Sequence, residues 1–291
     1  MNVYEIITEQ IVKKLDSGVV PWRKPWRGGA AFAPKSFATR KPYTGINVWL
    51  LGMAAQDKGY SSPYWITYKA AQGLSGQVRK GEKSTIAVFW KQFETSKVSD
   101  SGKVISDKHF MLRYYNLFNI EQIDGLDESK LPVDALPDES ESLDFTPIEY
   151  CEHIIDDMPN KPVIEHSNER RVYYRPSNDT VHLPNKEHFV DVPEYYSTAF
   201  HELAHSTGHE TRLKRDTIGV AAFGSADYSK EELIAEFTAC FLCGTAGIET
   251  ATIDNSAAYI DNWRKALKAN VKLVIQAAGK AQKAADYILG K

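Results

Sequence analysis

The chain has 291 residues, of which 43% are hydrophobic and 25% are charged, a composition typical of a globular protein. This excludes collagen-like, mucin-like and mostly disordered proteins, and no segment approaches the roughly 20 consecutive apolar residues that a membrane span needs. The length suggests two domains, and three cysteines are too few for a disulfide framework. The N-terminus lacks the basic and apolar segments of a secretory signal, so we expect a cytoplasmic protein with no membrane partner.

The formal net charge of −3 conceals an asymmetry between the two halves of the chain. Residues 1–120 carry 18 lysines and arginines against 8 acidic residues, whereas residues 121–291 carry 17 against 30. The front half is therefore strongly basic and the back half strongly acidic. A basic half favours an anionic partner, and nucleic acid is the commonest one.

An acidic segment separates the two halves. Residues 131–142 are rich in proline, serine and acidic side chains, and such a composition cannot bury enough apolar surface to become ordered. It is typical of a flexible linker or of a solvated surface loop. We predict two domains, at residues 1–130 and 146–291, joined by an acidic linker over residues 131–145.

The front half is predicted to contain both helices and strands. Apolar residues recur at helical spacing over residues 3–15, and Gly18 marks the end of that helix. A second helix is predicted over residues 46–55. Residues 84–91 and 109–118 have the composition of strands, and the polar, turn-rich connection between them predicts a long β hairpin.

The back half is predicted to begin with a hairpin and to continue with helices. Residues 171–174 and 180–183 flank a Pro-Ser-Asn-Asp turn, which is a hairpin signal. Asp191 and Glu194 are then spaced as a capping box, and Gly208 is typical of the position after a helix end. Two further helices are predicted, over residues 230–243 and 257–289. The expected fold class is α+β with two domains.

Residues 201–205 form an H-E-x-x-H pattern within the predicted helix. The i, i+4 spacing places His201 and His205 on one face of the helix, one turn apart. Two neutral imidazoles in that position can occupy adjacent sites on a tetrahedral Zn²⁺ ion. Glu202 would lie beside the open position of the ion, where it could act as a general base and later protonate a leaving amine. The alternative is a pair of surface histidines that bind no metal.

A third protein ligand is needed, and the next predicted helix supplies candidates. Glu232 and Glu236 form an i, i+4 pair on a face of small residues, which would allow close approach of the two helices. We expect Glu232 to bind the ion and Glu236 to orient a ligating histidine, with the reverse assignment as the alternative. His209 is a weaker candidate, because its offset departs from the longer metzincin pattern. The expected ion is Zn²⁺, with Mn²⁺ as the alternative.

Five of the six tryptophans lie in the basic front half. Residues 20–27 interleave aromatic rings and cations around two prolines, which stiffen the segment. Aromatic side chains stack on exposed bases and cations neutralise phosphates, so we predict binding of single-stranded DNA. The predicted DNA-binding residues are Trp22, Arg23, Lys24, Trp26, Arg27, Arg40, Lys41, Tyr43, Trp65, Tyr68, Arg79, Lys80 and Lys83.

Burial in the core is the alternative role for the tryptophans. Trp49 and Trp90 lie within apolar runs, and we expect both to be core residues. Trp22 and Trp26 lie in a proline-flanked cationic segment, a composition that seldom forms a core. For these two we favour contact with DNA.

Five motifs give the chain a resemblance to the ArdC family of plasmid antirestriction proteins. They are residues 18–26, 40–47 and 76–83 in the front half and 201–209 and 231–236 in the back half. The N-terminal half also resembles the domain shared with TraC-type conjugative primases. The resemblance implies an N-terminal single-stranded DNA-binding domain and a C-terminal zincin-like metallopeptidase domain. It also implies protection of incoming plasmid DNA from host restriction.

Two other functions remain open on the sequence. One is a DNA-dependent metallopeptidase that acts on proteins bound to DNA, which would make such a protein a second partner. The other is a DNA-binding protein in which the metal only stabilises the fold and cleaves nothing.

Overall fold

The structure is a computed structural model that describes residues 2–22, 33–98, 104–126, 128–132, 147–218, 226–248 and 257–291. The predicted linker over residues 131–145 and the turn at residues 99–102 fall almost entirely outside these ranges. Within the ranges, no helix has both the length and the apolar composition required to cross a membrane.

Among its described residues, the front half has three α-helices, a four-stranded sheet and a two-stranded sheet. The helices are α1 (Val3–Asp16), α2 (Ile46–Lys58) and the short α3 (Tyr68–Gly73). The strands are β1 (Lys35–Ser36), β2 (Tyr64–Thr67), β3 (Gln77–Val78), β4 (Thr85–Val98), β5 (Val104–Asn119) and β6 (Ile123–Asp124). The predicted helices and the predicted hairpin are confirmed, and the two hairpin strands are longer than the sequence indicated.

Helix α1 follows from its sequence pattern and its cap. Asn2 and Glu5 form a reciprocal capping box at its start. Ile7, Ile11 and Leu15 are buried along one face, as expected for apolar residues at helical spacing. Gly18 then adopts a φ of 77°, a left-handed conformation that glycine tolerates and that ends the helix.

The long β4–β5 hairpin dominates the front sheet, whose strand order is β1-β2-β5-β4. The two strands pair antiparallel from Thr85 opposite Leu117 to Val98 opposite Val104. Because β4 is the edge strand, its outer side depends on a side chain for hydrogen bonds. The Asn47 side chain accepts from the Val88 amide at 2.7 Å and donates to the Val88 carbonyl at 2.9 Å.

The back half places a small sheet against a set of helices. After α4 (Pro147–Asp156), the strands are β7 (Val163–Ser167), β8 (Tyr173–Arg175) and β9 (Thr180–Pro184), in the order β7-β9-β8. The remaining helices are α5 (Val192–Ser206), α6 (Ala226–Ala246), α7 (Ala257–Ala269) and α8 (Leu273–Ile288). The predicted β8–β9 hairpin is confirmed, and its outer strand β8 lies at the edge of the sheet.

The prediction of a single helix over residues 257–289 is wrong, because the helix is interrupted between α7 and α8. The Asn270 side chain accepts a hydrogen bond from the Lys272 amide at 3.1 Å. Such local side-chain bonds compete with the helical pattern, and asparagine is a weak helix former. Two helices therefore replace the one that the sequence predicted.

One hydrophobic core spans both halves of the chain. Trp49 of α2 stacks on Phe241 of α6 with ring centroids 4.7 Å apart. The Trp22 ring lies 5.1 Å from that of Phe237, also on α6, in an edge-on arrangement. The front helices and the helices of the back half are therefore parts of a common packed interior.

Candidate metal centre and nucleic-acid interface

Helix α5 carries the H-E-x-x-H motif into the interior. Its start is fixed by Asp191, whose side chain accepts from the Glu194 amide at 2.8 Å, and by a proline in the first turn. His201 and His205 then lie one turn apart, with their Nε2 atoms 3.2 Å from each other. Two imidazole nitrogens this close converge on one point in space.

Helix α6 brings a carboxylate to the same point. One oxygen of Glu232 lies 3.6 Å from Nε2 of His201, and the other lies 3.5 Å from Nε2 of His205. Three ligand atoms at about 2.0–2.1 Å from a tetrahedral zinc would be about 3.3 Å apart. The separation of the two Nε2 atoms is close to that value, and each Glu232 oxygen lies within 3.6 Å of one of them. These three residues form a cluster that could hold a metal ion.

The carboxylates around the histidines set the electrostatics of the site. Burial alone would lower the pKa of His201, but its hydrogen bond with Glu232 and the charges of Glu202 and Glu236 raise it to about 9. The site therefore attracts a positive charge strongly. A divalent cation would supply that charge in place of a proton.

Glu231 supports His205 from behind, a role that the sequence did not reveal. Its carboxylate lies 3.5 Å from Nδ1 of His205 and accepts hydrogen bonds from Arg215, one of them at 2.5 Å, and from the Thr217 hydroxyl. Burial would raise the pKa of Glu231, but His205 and Arg215 lower it to about 2. A ligating histidine held by an ionised carboxylate is typical of metal sites.

Glu236, the residue predicted to orient a histidine, lies one turn beyond Glu232 and is buried. Its charge raises the pKa of His201, whereas Glu231 contacts His205. Glu232 and Glu236 are neighbours because residues four apart in a helix lie on the same face. The contact from Glu231 depends instead on Arg215 and Thr217, which the sequence does not place near α6.

The three residues that could hold an ion line a cleft of about 410 Å³. Glu202 is only 7% exposed and lines this cleft beside the histidines. Tyr228 lines it from α6, and burial together with the nearby carboxylates raises its pKa to about 12, so its hydroxyl stays protonated. Residues 172–174, which include the start of edge strand β8, form one wall.

Two other histidines of the back half lie outside this group of three residues. The Nδ1 atom of His209 is hydrogen-bonded to the Thr211 hydroxyl at 2.9 Å. His209 is not among the three residues that could hold an ion. His182 is buried between the Ser167 hydroxyl and the Arg171 carbonyl, each 2.8 Å from a ring nitrogen. The helix pair α5–α6 supplies the cluster without them.

Two of the predicted DNA-binding residues are in the core, and their assignment was wrong. Trp22 and Trp65 are each 1% exposed. Trp22 packs between Phe237 and Trp263, and Trp65 belongs to a cluster with Leu51 and its neighbours. An indole with no exposed face cannot stack on a base. Arg23, Lys24, Trp26 and Arg27 lie outside the described residues.

The other predicted DNA-binding residues are at least partly exposed. Lys41, Lys80 and Lys83 are exposed cations, Tyr68 is 42% exposed and Tyr43 is half-buried. Two exposed arginines have protein partners. The Arg40 guanidinium lies 4.3 Å from the centre of the Phe37 ring, and Arg79 forms ion pairs with Glu82 and Asp124.

The β4–β5 hairpin carries exposed aromatic residues that the sequence analysis did not select. Trp90 is 53% exposed, so its predicted place in the core is wrong, whereas Trp49 is buried as predicted. Phe110, Tyr114 and Tyr115 are 61%, 46% and 49% exposed. The apolar run around Trp90 predicts burial, but this hairpin extends beyond the core.

Comparisons with known proteins bear on both halves. Residues 1–118 match the model of the N-terminal domain of anti-restriction factor ArdC, and residues 151–280 match that of a zincin-like metallopeptidase. Two crystal structures of the antirestriction ArdC protein from plasmid R388, one metal-free and one Mn(II)-bound, are 35% identical to the chain. Their TM-scores are 0.76 and 0.77, and the match covers 99% and 100% of this chain and 97% and 98% of theirs.

The chain belongs to the ArdC family of antirestriction proteins. The resemblance found in the sequence is thereby confirmed, and so is the α+β fold with a zincin-like domain. A relative in Sinorhizobium fredii, y4eC, is 34% identical, with 99% of this chain and 91% of y4eC covered. DNA primase TraC of Escherichia coli is 36% identical over 98% of this chain, but the chain spans only 27% of that primase.

Proposed function

We propose that the chain is an antirestriction protein that binds single-stranded DNA, protects incoming DNA from host restriction and carries a metal-dependent peptidase centre. Residues 1–130 would bind the DNA and residues 146–291 would hold the ion, with residues 131–145 as an acidic linker. Membership of the ArdC family supports the antirestriction role. The cluster of His201, His205 and Glu232 beside Glu202 carries the peptidase proposal.

The donor set favours Zn²⁺ as the ion. Two imidazoles and one carboxylate are a common zinc ligand set in hydrolases, which leaves a fourth position open. A divalent ion there would polarise a peptide carbonyl as a Lewis acid. The Mn(II)-bound relative makes Mn²⁺ the alternative, and mass spectrometry of the purified protein distinguishes the two. Loss of the ion in His201→Ala is the expected control result.

The chain's own residues have distinct parts in cleavage. Glu202, which lines the cleft beside the histidines, would accept a proton from the attacking water and pass it to the leaving amine. The Tyr228 hydroxyl is protonated and could donate a hydrogen bond to the oxygen of the scissile carbonyl. Edge strand β8 could pair with an extended substrate peptide through main-chain hydrogen bonds.

Charge and kinship support the DNA-binding part of the proposal. The front half has an excess of ten basic charges, and Lys41, Lys80 and Lys83 are exposed on it. A relative across nearly the whole chain is named a DNA primase. Single-stranded DNA is the form that aromatic stacking favours, since the bases of a duplex are already stacked.

A comparison of wild type with Glu202→Gln tests how the two activities are connected. We expect the variant to bind metal and single-stranded DNA as wild type does, but to lose roughly 10²–10⁴-fold in cleavage of a protein substrate such as casein. Glu187→Gln, at an exposed position, is the matched control. Equal cleavage by Glu202→Gln and wild type would contradict the peptidase proposal.

The same variants decide what protects the DNA. Loss of protection in Glu202→Gln, in a restriction-protection assay, would make peptidase action part of the mechanism. Full protection by Glu202→Gln would assign protection to coating of the DNA. Cleavage that rises when single-stranded DNA is added would favour proteins on that DNA as substrates.

A further inference from the structure

The exposed part of the β4–β5 hairpin has two faces of different chemistry. Successive residues of a strand alternate between faces, and paired residues of two strands share a face. The register pairs Phe89 with Arg113, Lys91 with Met111 and Ala87 with Tyr115, so these six residues lie on one face. Ala87 is buried. We call the other five residues the hairpin platform: Phe89, Lys91, Met111, Arg113 and Tyr115.

We propose that the hairpin platform is the surface on which this protein stacks the bases of single-stranded DNA. The inference rests on the proposed binding of single-stranded DNA and gives it a location. It also replaces Trp22 and Trp65, which are buried, with aromatic residues that a base can reach.

The aromatic pair of the platform is already arranged for stacking. The rings of Phe89 and Tyr115 lie nearly parallel, 4.2 Å apart at an angle of 12°. Tyr115 remains 49% exposed and Met111 remains 47% exposed. A base can therefore extend a stack that the protein has formed beforehand, which limits the loss of side-chain entropy on binding.

The platform also offers cations between its apolar groups. Arg113 lies two residues from both Tyr115 and Met111 on β5, at steps of about 7 Å along the strand. Lys91 lies across from Met111, and both cations are exposed. A nucleic acid strand presents bases and phosphates in turn, and this alternation of rings and cations complements it.

The charges of the hairpin favour single-stranded DNA as the ligand and the platform as the face that binds it. A second copy docked through the same face would bring its arginine and lysine against their own kind, which is unfavourable. The opposite face carries Trp90, Phe110 and Tyr114. It holds no charged side chain among the described positions 86–90 and 110–116 of the two strands. Phosphate neutralisation therefore points to the platform.

The platform continues into a segment that the sequence predicted to bind DNA. Tyr43 packs against the cluster that contains Ala87. Burial raises the pKa of Tyr43, and the nearby Tyr115 phenol adds to that rise. Exposed Lys41 precedes it in the chain. The Tyr115 end of the platform therefore lies near Tyr43, and Lys41 is a further exposed cation in the same segment.

Adjacent tyrosines give a matched test. Tyr115 and Tyr114 are 49% and 46% exposed but lie on opposite faces, so Tyr115→Ala and Tyr114→Ala remove the same group from different surfaces. The full chain is titrated into a labelled oligothymidine longer than the roughly 4–16 nucleotides that single-strand binders cover. We expect Tyr115→Ala to weaken binding about 5-fold or more, Tyr114→Ala to change it less than about 2-fold, and Tyr115→Phe to retain it.

Arg113→Gln tests the phosphate contact through the salt dependence of DNA binding, which would not change if Arg113 had only a structural role. Loss of one phosphate contact should reduce the slope of log affinity against log salt by about 0.7 for a single strand. Weaker binding by Tyr114→Ala with Tyr115→Ala unchanged, or an equal loss in both, would overturn the assignment to this face. Wild-type binding that neither variant alters would overturn the platform and leave the proposed function standing. A wild type that binds no single-stranded DNA would overturn both.

Discussion

Glu231 fixes the orientation of His205 through its contact with Nδ1. Its carboxylate is itself held by Arg215, and both side chains are 6% exposed. Replacement by glutamine removes the charge but leaves a side chain of the same shape. We expect Glu231→Gln to lower metal affinity about 10–100-fold, because outer partners raise the basicity of a ligating histidine.

Competition with a chelator measures that affinity. Glu210→Gln removes a carboxylate from an exposed position that follows the motif, and it should bind metal as tightly as wild type. Metal affinity in Glu231→Gln equal to that of Glu210→Gln would contradict the supporting role of Glu231.

Asp179 neutralises an arginine that lies in the interior. The Arg212 side chain is 1% exposed, and it donates to the Asn160 and Ser206 carbonyls at 2.7 and 2.8 Å as well as to Asp179. Asp179 has a φ of 51°, which asparagine also tolerates. We expect Asp179→Asn to lower the free energy of unfolding by about 3 kcal/mol, because it leaves a buried charge without its counter-ion. Urea denaturation measures this loss.

The same pair makes stability depend on pH. Burial raises the pKa of Asp179, but the hydrogen bonds from Arg212 and Tyr174 outweigh it and hold the pKa below its ordinary value. The stabilising contribution is therefore complete above the unfolded value of about 3.9 and is lost as the pH falls through the folded value. The stability gap between wild type and Asp179→Asn should narrow as the pH falls from about 5 to about 3. A gap that stays constant would contradict this account.

At the residue scale, sequence reasoning succeeded where local geometry decides. His201 and His205 must share a helix face because they are four residues apart, and Glu232 lies on a helix whose small residues permit close approach. The contact of Glu231 with His205 was not predictable from the sequence, because the partners that hold Glu231, Arg215 and Thr217, are distant in sequence. Contacts of that kind depend on how the segment that carries Arg215 and Thr217 packs against α6.

At the scale of elements, two tryptophans have the reverse of their predicted roles. Trp22 is 1% exposed against α6 and α7, whereas Trp90 on β4 is 53% exposed. We expect Trp22→Ala to lower the free energy of unfolding by about 3–5 kcal/mol, the usual cost of removing a buried aromatic ring. Trp90→Ala should change it by less than about 1 kcal/mol. Denaturant titrations of the two variants under identical conditions give both values, and equal losses would refute the exchange.

Periodicity predicted the elements that bury one face and missed those that depend on context. Helix α1 has apolar residues at helical spacing between a cap and Gly18, so both of its ends were predictable. The break at Asn270 carries no proline or glycine, so the sequence pattern did not mark it. The hairpin strands were recognised, but their length beyond the core made Trp90 an exposed residue.

At the scale of the whole molecule, hydrogen bonds and an ion pair join the two halves. The Thr8 hydroxyl of α1 donates to the Val271 carbonyl at 2.8 Å, and the Gly45 amide donates to the Gln282 side chain at 3.1 Å. Arg264 forms an ion pair with Asp16 across the same boundary. The two halves therefore share an interior although their net charges have opposite signs.

A shared interior predicts that the back half is not stable alone. Expressed as residues 146–291, it would expose Phe237 and Phe241, which pack against Trp22 and Trp49 in the full chain. Uncovered apolar surface of this size promotes association and lowers stability. We expect the fragment to bind a hydrophobic dye such as ANS and to unfold at a lower urea concentration than the full chain, which serves as the control. A fragment that binds no dye and unfolds at the same midpoint would show that the two halves are independent, and the contacts of Trp22 and Trp49 would then contribute little to the stability of α6.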